Sequence, residues 1–196
     1  MKIERPQSKQ KSPENAERVF KGKIFDIYQW EQPMYDGSTR TFEKLKRPDT
    51  VVIFPVLNDG TILLTEQEQP GKGPFIGACG GRMEEGEDIL ESAKREFLEE
   101  TGYEAAEYIL WKAMHPASKI DWVVYFFIAK GCKKVKDQEL DGGEKISLKP
   151  VTFDEFLQIG RDEKFTEKEI VPDLYEALLD PEKYRALKEL FSPLNM

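Results

Sequence analysis

The sequence predicts an α+β protein built on a mixed β-sheet with flanking helices and an N-terminal antiparallel strand pair. Three patterns carry this. Strand-like runs separated by Asp-Gly turns fill the first third of the chain, one stretch of three- and four-residue periodicity follows, and a continuous apolar run (Trp122 to Ala129, WVVYFFIA) comes after it. Strands before and after a single central helix, with more helices at the end, are not a regular βαβ alternation.

Residues 1 to 15 are polar and read as a mobile arm. Residues 16 to 48 form the strand pair: Val19, Phe20, Ile24, Phe25, Ile27, Tyr28 and Trp30 lead into Tyr35-Asp36-Gly37-Ser38, and Thr39 to Lys46 returns. Asp-Gly predicts a hairpin turn whose two central residues both take positive φ. Residues 49 to 196 form the main domain. It opens with a second hairpin, Val51 to Leu57 and Thr61 to Thr65, around Asn58-Asp59-Gly60. Six glycines between Gln69 and Gly86 mark loops. A helix is expected from about Glu87 to Thr101, with Ile89, Leu90, Ala93, Phe97 and Leu98 on its apolar stripe and Gly102 as its left-handed end. Asp137 to Lys145 is an acidic loop. Helical patterns over Phe153 to Ile159, Glu167 to Leu179 and Pro181 to Phe191 finish the chain.

Composition removes several classes of function. The 196 residues are 39% hydrophobic, 11% aromatic and 34% charged, the profile of a folded protein long enough to need no disulfide staples. A net charge of −8 repels a nucleic-acid backbone, and no apolar run is long enough to span a membrane. Two cysteines, Cys79 and Cys132, make no disulfide framework, and the N-terminus carries no apolar signal core, so a cytoplasmic location is expected. One histidine, His115, excludes a multi-histidine metal site. Any metal here is held by oxygen.

Residues Gly81 to Tyr103 hold eight acids against three bases, a net of −5. Glu96 neighbours both Glu99 and Glu100 on a helix, opposite the Ile89, Ala93 and Phe97 stripe, and like charges at that spacing repel. An acidic solvated face is one reading. An oxygen cage for Mg²⁺ or Mn²⁺ is the other, with the glycine loop before the helix adding a backbone carbonyl, that of Gly80.

The spacing Gly81, Glu87, Arg95-Glu96, Glu99-Glu100 and Gly102 resembles the Nudix box of hydrolases that act on nucleoside diphosphates linked to another moiety. Phe97 fits its apolar slot, and Tyr103 replaces a usual aliphatic residue. The resemblance implies an α/β/α Nudix sandwich. It also implies divalent-metal binding through Glu96, Glu99 and Glu100, with Arg95 and Glu87 orienting those glutamates. Glu99, Glu100, Arg95 and Glu144 are then the catalytic set, and Gly80, Glu96, Glu99, Glu100 and Glu144 the metal set. Glu144, with Glu139 and Asp141 as alternatives, matches the acidic loop that supplies a further ligand or the base. Gly142-Gly143 beside it suits a loop that closes over substrate.

Beyond the box, Arg47-Pro48-Asp49 and Glu66-Gln67 are similar to the ADP-ribose and nucleotide-sugar pyrophosphatase branch. That likeness implies a substrate set of Arg47, Glu66, Arg82, Pro116, Lys119 and Tyr28, and a homodimer paired through the N-terminal strands, where Phe25, Tyr28, Trp30 and Phe42 offer packing or base stacking. Glu68-Gln69 stand where that branch has Tyr-Arg, which removes a phosphate contact. His115 is either a loop base or a packing residue. The expected activity is Mg²⁺-dependent (or Mn²⁺-dependent) hydrolysis of a nucleoside diphosphate sugar of ADP-ribose type to a nucleoside monophosphate and a sugar phosphate. A GDP-sugar, NADH or a dinucleoside polyphosphate is the alternative substrate. A non-catalytic ADP-ribose-sensing regulator is the remote one, since it predicts a broken box and a basic tail.

Overall fold

Alternation along two central strands decides the layers. The structure, a computed structural model, describes residues 3–194. In β4 (Thr50–Val56), Val51 and Ile53 face one side of the sheet, and Val52, Phe54 and Val56 face the other. In β11 (Val124–Lys130), Tyr125, Phe127 and Ala129 share the first side, and Val124, Phe126 and Ile128 the second. The two strands run parallel in register from Val124↔Thr50 to Lys130↔Val56. Strands covered on both faces read as continuous apolar runs, which is why Trp122 to Ala129 shows no alternation in sequence.

One face is covered by α1 (Ile89–Thr101), whose Ala93 and Phe97 are fully buried against Val51, Ile53, Tyr125 and Phe127. The other is covered by α2 (Phe153–Gln158), α3 (Val171–Leu179) and α4 (Pro181–Leu190), packed around Phe54, Phe156 and Phe191. This is the expected α/β/α sandwich. The main sheet also holds β5 (Ile62–Gln69), β6 (Lys72–Gly77), β7 (Cys79–Arg82), β9 (Glu107–Met114) and β13 (Lys145–Val151), in the order β13-β5-β4-β11-β9 with β6 on β5 and β7 on β4. A two-stranded piece, β8 (Tyr103–Glu104) with β12 (Lys133–Lys134), closes the far end of α1.

Several elements differ from expectation. The glycine-rich stretch is two strands, β6 and β7, because Phe75, Ile76 and Cys79 are buried and backbone pairing tolerates glycine. The N-terminal piece is a three-stranded meander, β1 (Glu17–Lys21), β2 (Asp26–Pro33) and β3 (Thr39–Lys46), joined in parallel by β10 (Ile120–Asp121). Its turn has only Gly37 at positive φ: Gly37 N–H donates to Met34 O, and Met34 N–H to Ser38 O. Asn58-Asp59-Gly60 repeats that geometry, with Gly60 N–H on Leu57 O and Leu57 N–H on Thr61 O. Both are three-residue loops ending in a left-handed glycine. Helix α1 starts later than expected, at Ile89, because Asp88 is its N-cap and accepts from Leu90 and Glu91 N–H; Gly102 ends it at φ 74°. Lys168–Ile170 is a 3-10 turn, and α3 begins only at Val171, where Pro172 suits a first turn.

The described part of the N-terminal arm is fastened rather than free. Arg5 pairs with Asp49 at 2.7 Å and Asp121 at 2.9 Å, and Lys44 donates to Ser8 and Gln10.

Candidate active site

The site is a notch in the sheet. After Val56↔Ile62 the β4–β5 hairpin splays: β6 runs antiparallel to β5, the chain reverses at Gly77-Ala78, and β7 runs antiparallel to β4. Gly80 stands opposite Val52, but its N–H donates to Glu100 Oε2 at 2.8 Å rather than to β4. Every second residue of an antiparallel ladder turns both its N–H and its C=O to the other edge, so the Gly80 carbonyl also faces the notch. Glycine is required twice here. A side chain on Gly80 (φ +144°) would overlap the Val51 carbonyl, and one on Gly81 would stand 2.5–2.6 Å from the Glu96 carboxylate.

Arg95 organises the helix side. Its Nε and Nη2 donate to Glu87 at 2.9 and 3.1 Å, and its Nη1 donates to Glu96 at 2.9 Å and Glu99 at 3.1 Å. A further bond to the Arg82 carbonyl, 3.2 Å, ties the loop to the helix. Glu87, held first by Arg95, falls to a pKa of about 2. The acidic loop is clamped to the end of α1: Glu139 N–H donates to Glu99 O at 2.8 Å, and the Gln138 amide donates to Glu100 O and Ile146 O. The bonds to Glu99 O and Glu100 O satisfy carbonyls that a helix end leaves free, and the one to Ile146 O ties the loop to β13. Of the three loop acids, Glu139 pairs with Lys136 at 2.7 Å and Asp141 is exposed, whereas the Glu144 charge reaches Glu96 and Glu100.

Burial raises the Glu100 carboxyl to about 8, with Glu96, Glu144 and Glu167 adding to the rise against the Gly80 N–H. Burial raises Glu96 as well, against the pull of Arg95. Among the described residues no three acidic, histidine or cysteine side chains converge on one point, because Glu96 and Glu99 are turned to Arg95 and Glu100 to Gly80. The donor set nonetheless fits a divalent cation. It is all hard oxygen, and the two buried carboxylates carry more negative charge than one arginine neutralises.

The substrate set divides. Arg82 follows Gly81 on β7, and its charge acts on Arg47. Arg47 stacks on Trp122 (4.5 Å to the ring) and Phe25 (5.6 Å), and its buried Nε has no partner among the described residues. Neither arginine has an ion pair to an acid among the described residues. Glu66 lies on the opposite face of the sheet, paired with Lys149 at 2.6 Å beside a cavity of about 390 Å³; β5 alternates, and it is Gln67 that faces the notch, its amide 3.4 Å from Ala78 O. Lys119 sits over the Phe42 ring at 4.9 Å and Tyr28 lies in β2 opposite Lys44, both on the N-terminal sheet. Pro116 is in the loop after β9, next to His115, whose Nε2 meets Pro6 O at 3.1 Å; that histidine packs the arm. The sequence reading missed Glu167 and Gln138, and from the pair Glu66-Gln67 it took Glu66 rather than Gln67. Glutamine carries little signal in one sequence, and Glu167 lies in a charged stretch that resembles any surface turn.

A NUDIX domain family model matches residues 46–174. The chain is 28% identical over 175 residues to the methanol dehydrogenase activator of Bacillus methanolicus, covering 87% of this chain and 94% of that one. It is 28% identical over 146 residues to the ADP-ribose pyrophosphatase of Bacillus subtilis (strain 168), covering 73% and 79%. Identity to the ADP compounds hydrolase NudE of Escherichia coli (strain K12) is 27% over 105 residues, 53% and 56% of the two chains. A crystal structure of an ADP compounds hydrolase shares the fold, with TM-score 0.71 and 20% identity over 94% of this chain and 97% of that one. The box that encloses the notch and the match over most of the sheet say the same thing: this chain belongs to the Nudix family.

Proposed function

We propose that this Nudix pyrophosphohydrolase cleaves a nucleoside diphosphate sugar of the ADP-ribose or ADP-sugar type, yielding a nucleoside monophosphate and a sugar phosphate, with Mg²⁺ or Mn²⁺ as cofactor. One juxtaposition carries the reading. Glu100 is bonded at the Gly80 edge, the charges of Glu96 and Glu144 reach it, and Arg82, two residues along β7, and Arg47, which the Arg82 charge reaches, have no acidic partner among the described residues. The acids suit a cation and the guanidiniums suit a diphosphate. Relatives named as an ADP-ribose pyrophosphatase and an ADP compounds hydrolase support the substrate class.

The site's residues have separable tasks. Glu96, Glu99, Glu100, Glu144 and the Gly80 carbonyl would hold the cation. Bound there, it neutralises the diphosphate, polarises the P–O bond and acidifies the attacking water. Arg95 keeps Glu96 and Glu99 on one side of the helix and fastens Glu87 to it. Glu144 supplies either a further ligand or the base that takes the proton of the water attacking phosphorus in line, with Glu139 and Asp141 as the alternatives. Arg47 and Arg82 bind the phosphates, and the Trp122 and Phe25 rings keep the Arg47 plane in position.

Val19 and Phe20 on β1, and Ile24 and Phe25 after it, are exposed apolar side chains on the N-terminal sheet. They support a homodimer paired through that sheet, which sedimentation of wild type against F20E tests. Two buried reduced cysteines suit a cytoplasmic enzyme. Among the described residues no helix is long and apolar enough to cross a membrane.

The test of the activity is a panel of ADP-ribose, an ADP-hexose, a GDP-sugar, NADH and a dinucleoside polyphosphate with Mg²⁺, scored by products. Preferred turnover of the ADP-sugars to AMP and a sugar phosphate is expected. Preference for another member moves the substrate assignment to that class. Absence of turnover on all of them removes the hydrolase reading.

A further inference from the structure

Glu167 lies outside the acidic helix and outside the loop before β13. It follows Lys164 to Thr166, an extended run on the free edge of β6. There Ile76 N–H donates to Lys164 O and Thr166 N–H to Ile76 O, each at 2.9 Å, and fully buried Phe165 bridges to Ile76. That anchor brings the chain into the notch from the β6 side, whereas Glu100 enters at β7. The Glu167 carboxylate rests against Gly77, where a Cβ would stand 3.0 Å from Oε1 and 3.4 Å from Oε2. The Thr166 hydroxyl donates to Oε1 at 3.1 Å, and the Ala78 N–H favours the charged form. The residue as a whole keeps some exposure, but Oε2 is enclosed and has no partner among the described residues. An enclosed carboxylate oxygen left unpaired is costly unless a donor or a cation meets it in the working protein. The Glu167 charge also reaches Glu100.

We propose that Glu167 is a further acidic residue of the divalent-cation site, a positioning residue that adds one free carboxylate oxygen to the notch from the β6 side, opposite the β7 edge to which Glu100 is bonded. This rests on the cation-dependent reading above. Glycine at position 77 then has a reason, since any side chain there would push this carboxylate aside.

The test uses the full chain and Mn²⁺ as the probe, with free Mn²⁺ read by electron paramagnetic resonance and melting in EDTA as the control for folding. E167Q keeps an oxygen for Thr166 and Ala78 but loses the charge. It is expected to melt in EDTA at or above the wild-type temperature and to bind Mn²⁺ about tenfold more weakly. E167D keeps the charge but withdraws the oxygens by one methylene, and it serves if the glutamine variant does not fold; weaker Mn²⁺ binding is again expected. Wild-type affinity in either folded variant overturns the assignment of Glu167. Absence of Mn²⁺ binding by the wild type removes the cation-dependent reading itself, and this assignment with it.

Discussion

Glu100 Oε2 accepts the Gly80 N–H at 2.8 Å, and through that bond the last turn of the acidic helix is fastened to the strand edge that faces the notch. The residue is only 6% exposed, so the bond holds a carboxylate where water would otherwise have to. E100Q retains an acceptor for Gly80 and removes the charge. Turnover of the preferred substrate is expected to fall at least about a hundredfold, while the metal-free protein melts at or above the wild-type temperature. Wild-type turnover in this variant would remove the role given to Glu100.

The same burial makes metal-free stability depend on pH in a defined sense. Glu100 is raised from 4.5 to about 8 and Glu167 to about 7, both first by burial. A group whose folded pKa is raised gives stability that is complete below its unfolded value and is lost as pH rises through the folded one. Melting temperature in EDTA is therefore expected to fall between about pH 4.5 and pH 8 and to level off above that. E100Q should flatten that slope, and excess Mg²⁺ should oppose it. Glu87, lowered to about 2 by Arg95, acts in the opposite sense: its contribution is present above 4.5 and lost as pH falls toward 2. A melting temperature that climbs from about pH 5 to pH 8 without metal would contradict the assigned burial.

Two adjacent glycines predict different failures. In G80A the new methyl meets the Val51 carbonyl, which is backbone of the central β4 strand, at a φ that side chains avoid. That variant is expected to be insoluble or to melt far below wild type. In G81A the methyl meets the end of the Glu96 side chain, which can swing away. It should fold, with Mn²⁺ affinity reduced about tenfold. Calorimetric melting and Mn²⁺ titration of the pair separate the two outcomes.

Arg95 makes forked bonds that one ammonium cannot reproduce. R95K can serve Glu87 or Glu96 and Glu99, but not all three. A loss of about 2 kcal/mol in urea denaturation is expected, with a fall in kcat, since hydrogen bonds between charged groups are each worth about 1.5–3 kcal/mol. Undiminished stability would mean that the network is a surface feature screened by water.

Arg47 and Arg82 are assigned to the phosphates rather than to the cation. R82A is expected to raise KM about ten- to hundredfold with kcat and Mn²⁺ affinity little changed. A lowered kcat at unchanged KM would place Arg82 in the chemistry instead.

Much of this site was legible as spacing. Gly81, Glu87, Arg95, Glu96, Glu99, Glu100 and Gly102 are close in sequence, and helix periodicity converts the separations of Arg95, Glu96, Glu99 and Glu100 directly into a shared face. The turn and cap residues were legible for the same reason: Gly37, Gly60 and Gly102 each take positive φ, as local chemistry requires. The positive φ expected at Asp36 was not found, because a three-residue loop needs only one left-handed residue.

Residues placed by pairing between distant strands were not legible. Glu66 and Gln67 are adjacent, yet strand alternation sends one to the Lys149 face and the other to the notch, and the choice depends on which face of β5 the helices cover. The same holds for the arm, whose Arg5 finds Asp49 and Asp121 only after β3 and β10 have met. Local spacing determined the helix, its caps and its row of acids. The crossing from β6 to β7 decided where Glu100 meets Gly80, and with the pairing of Lys164 to Thr166 on β6 it brought Glu167 within reach of Glu100, because contacts across a sheet depend on register between segments far apart in the chain.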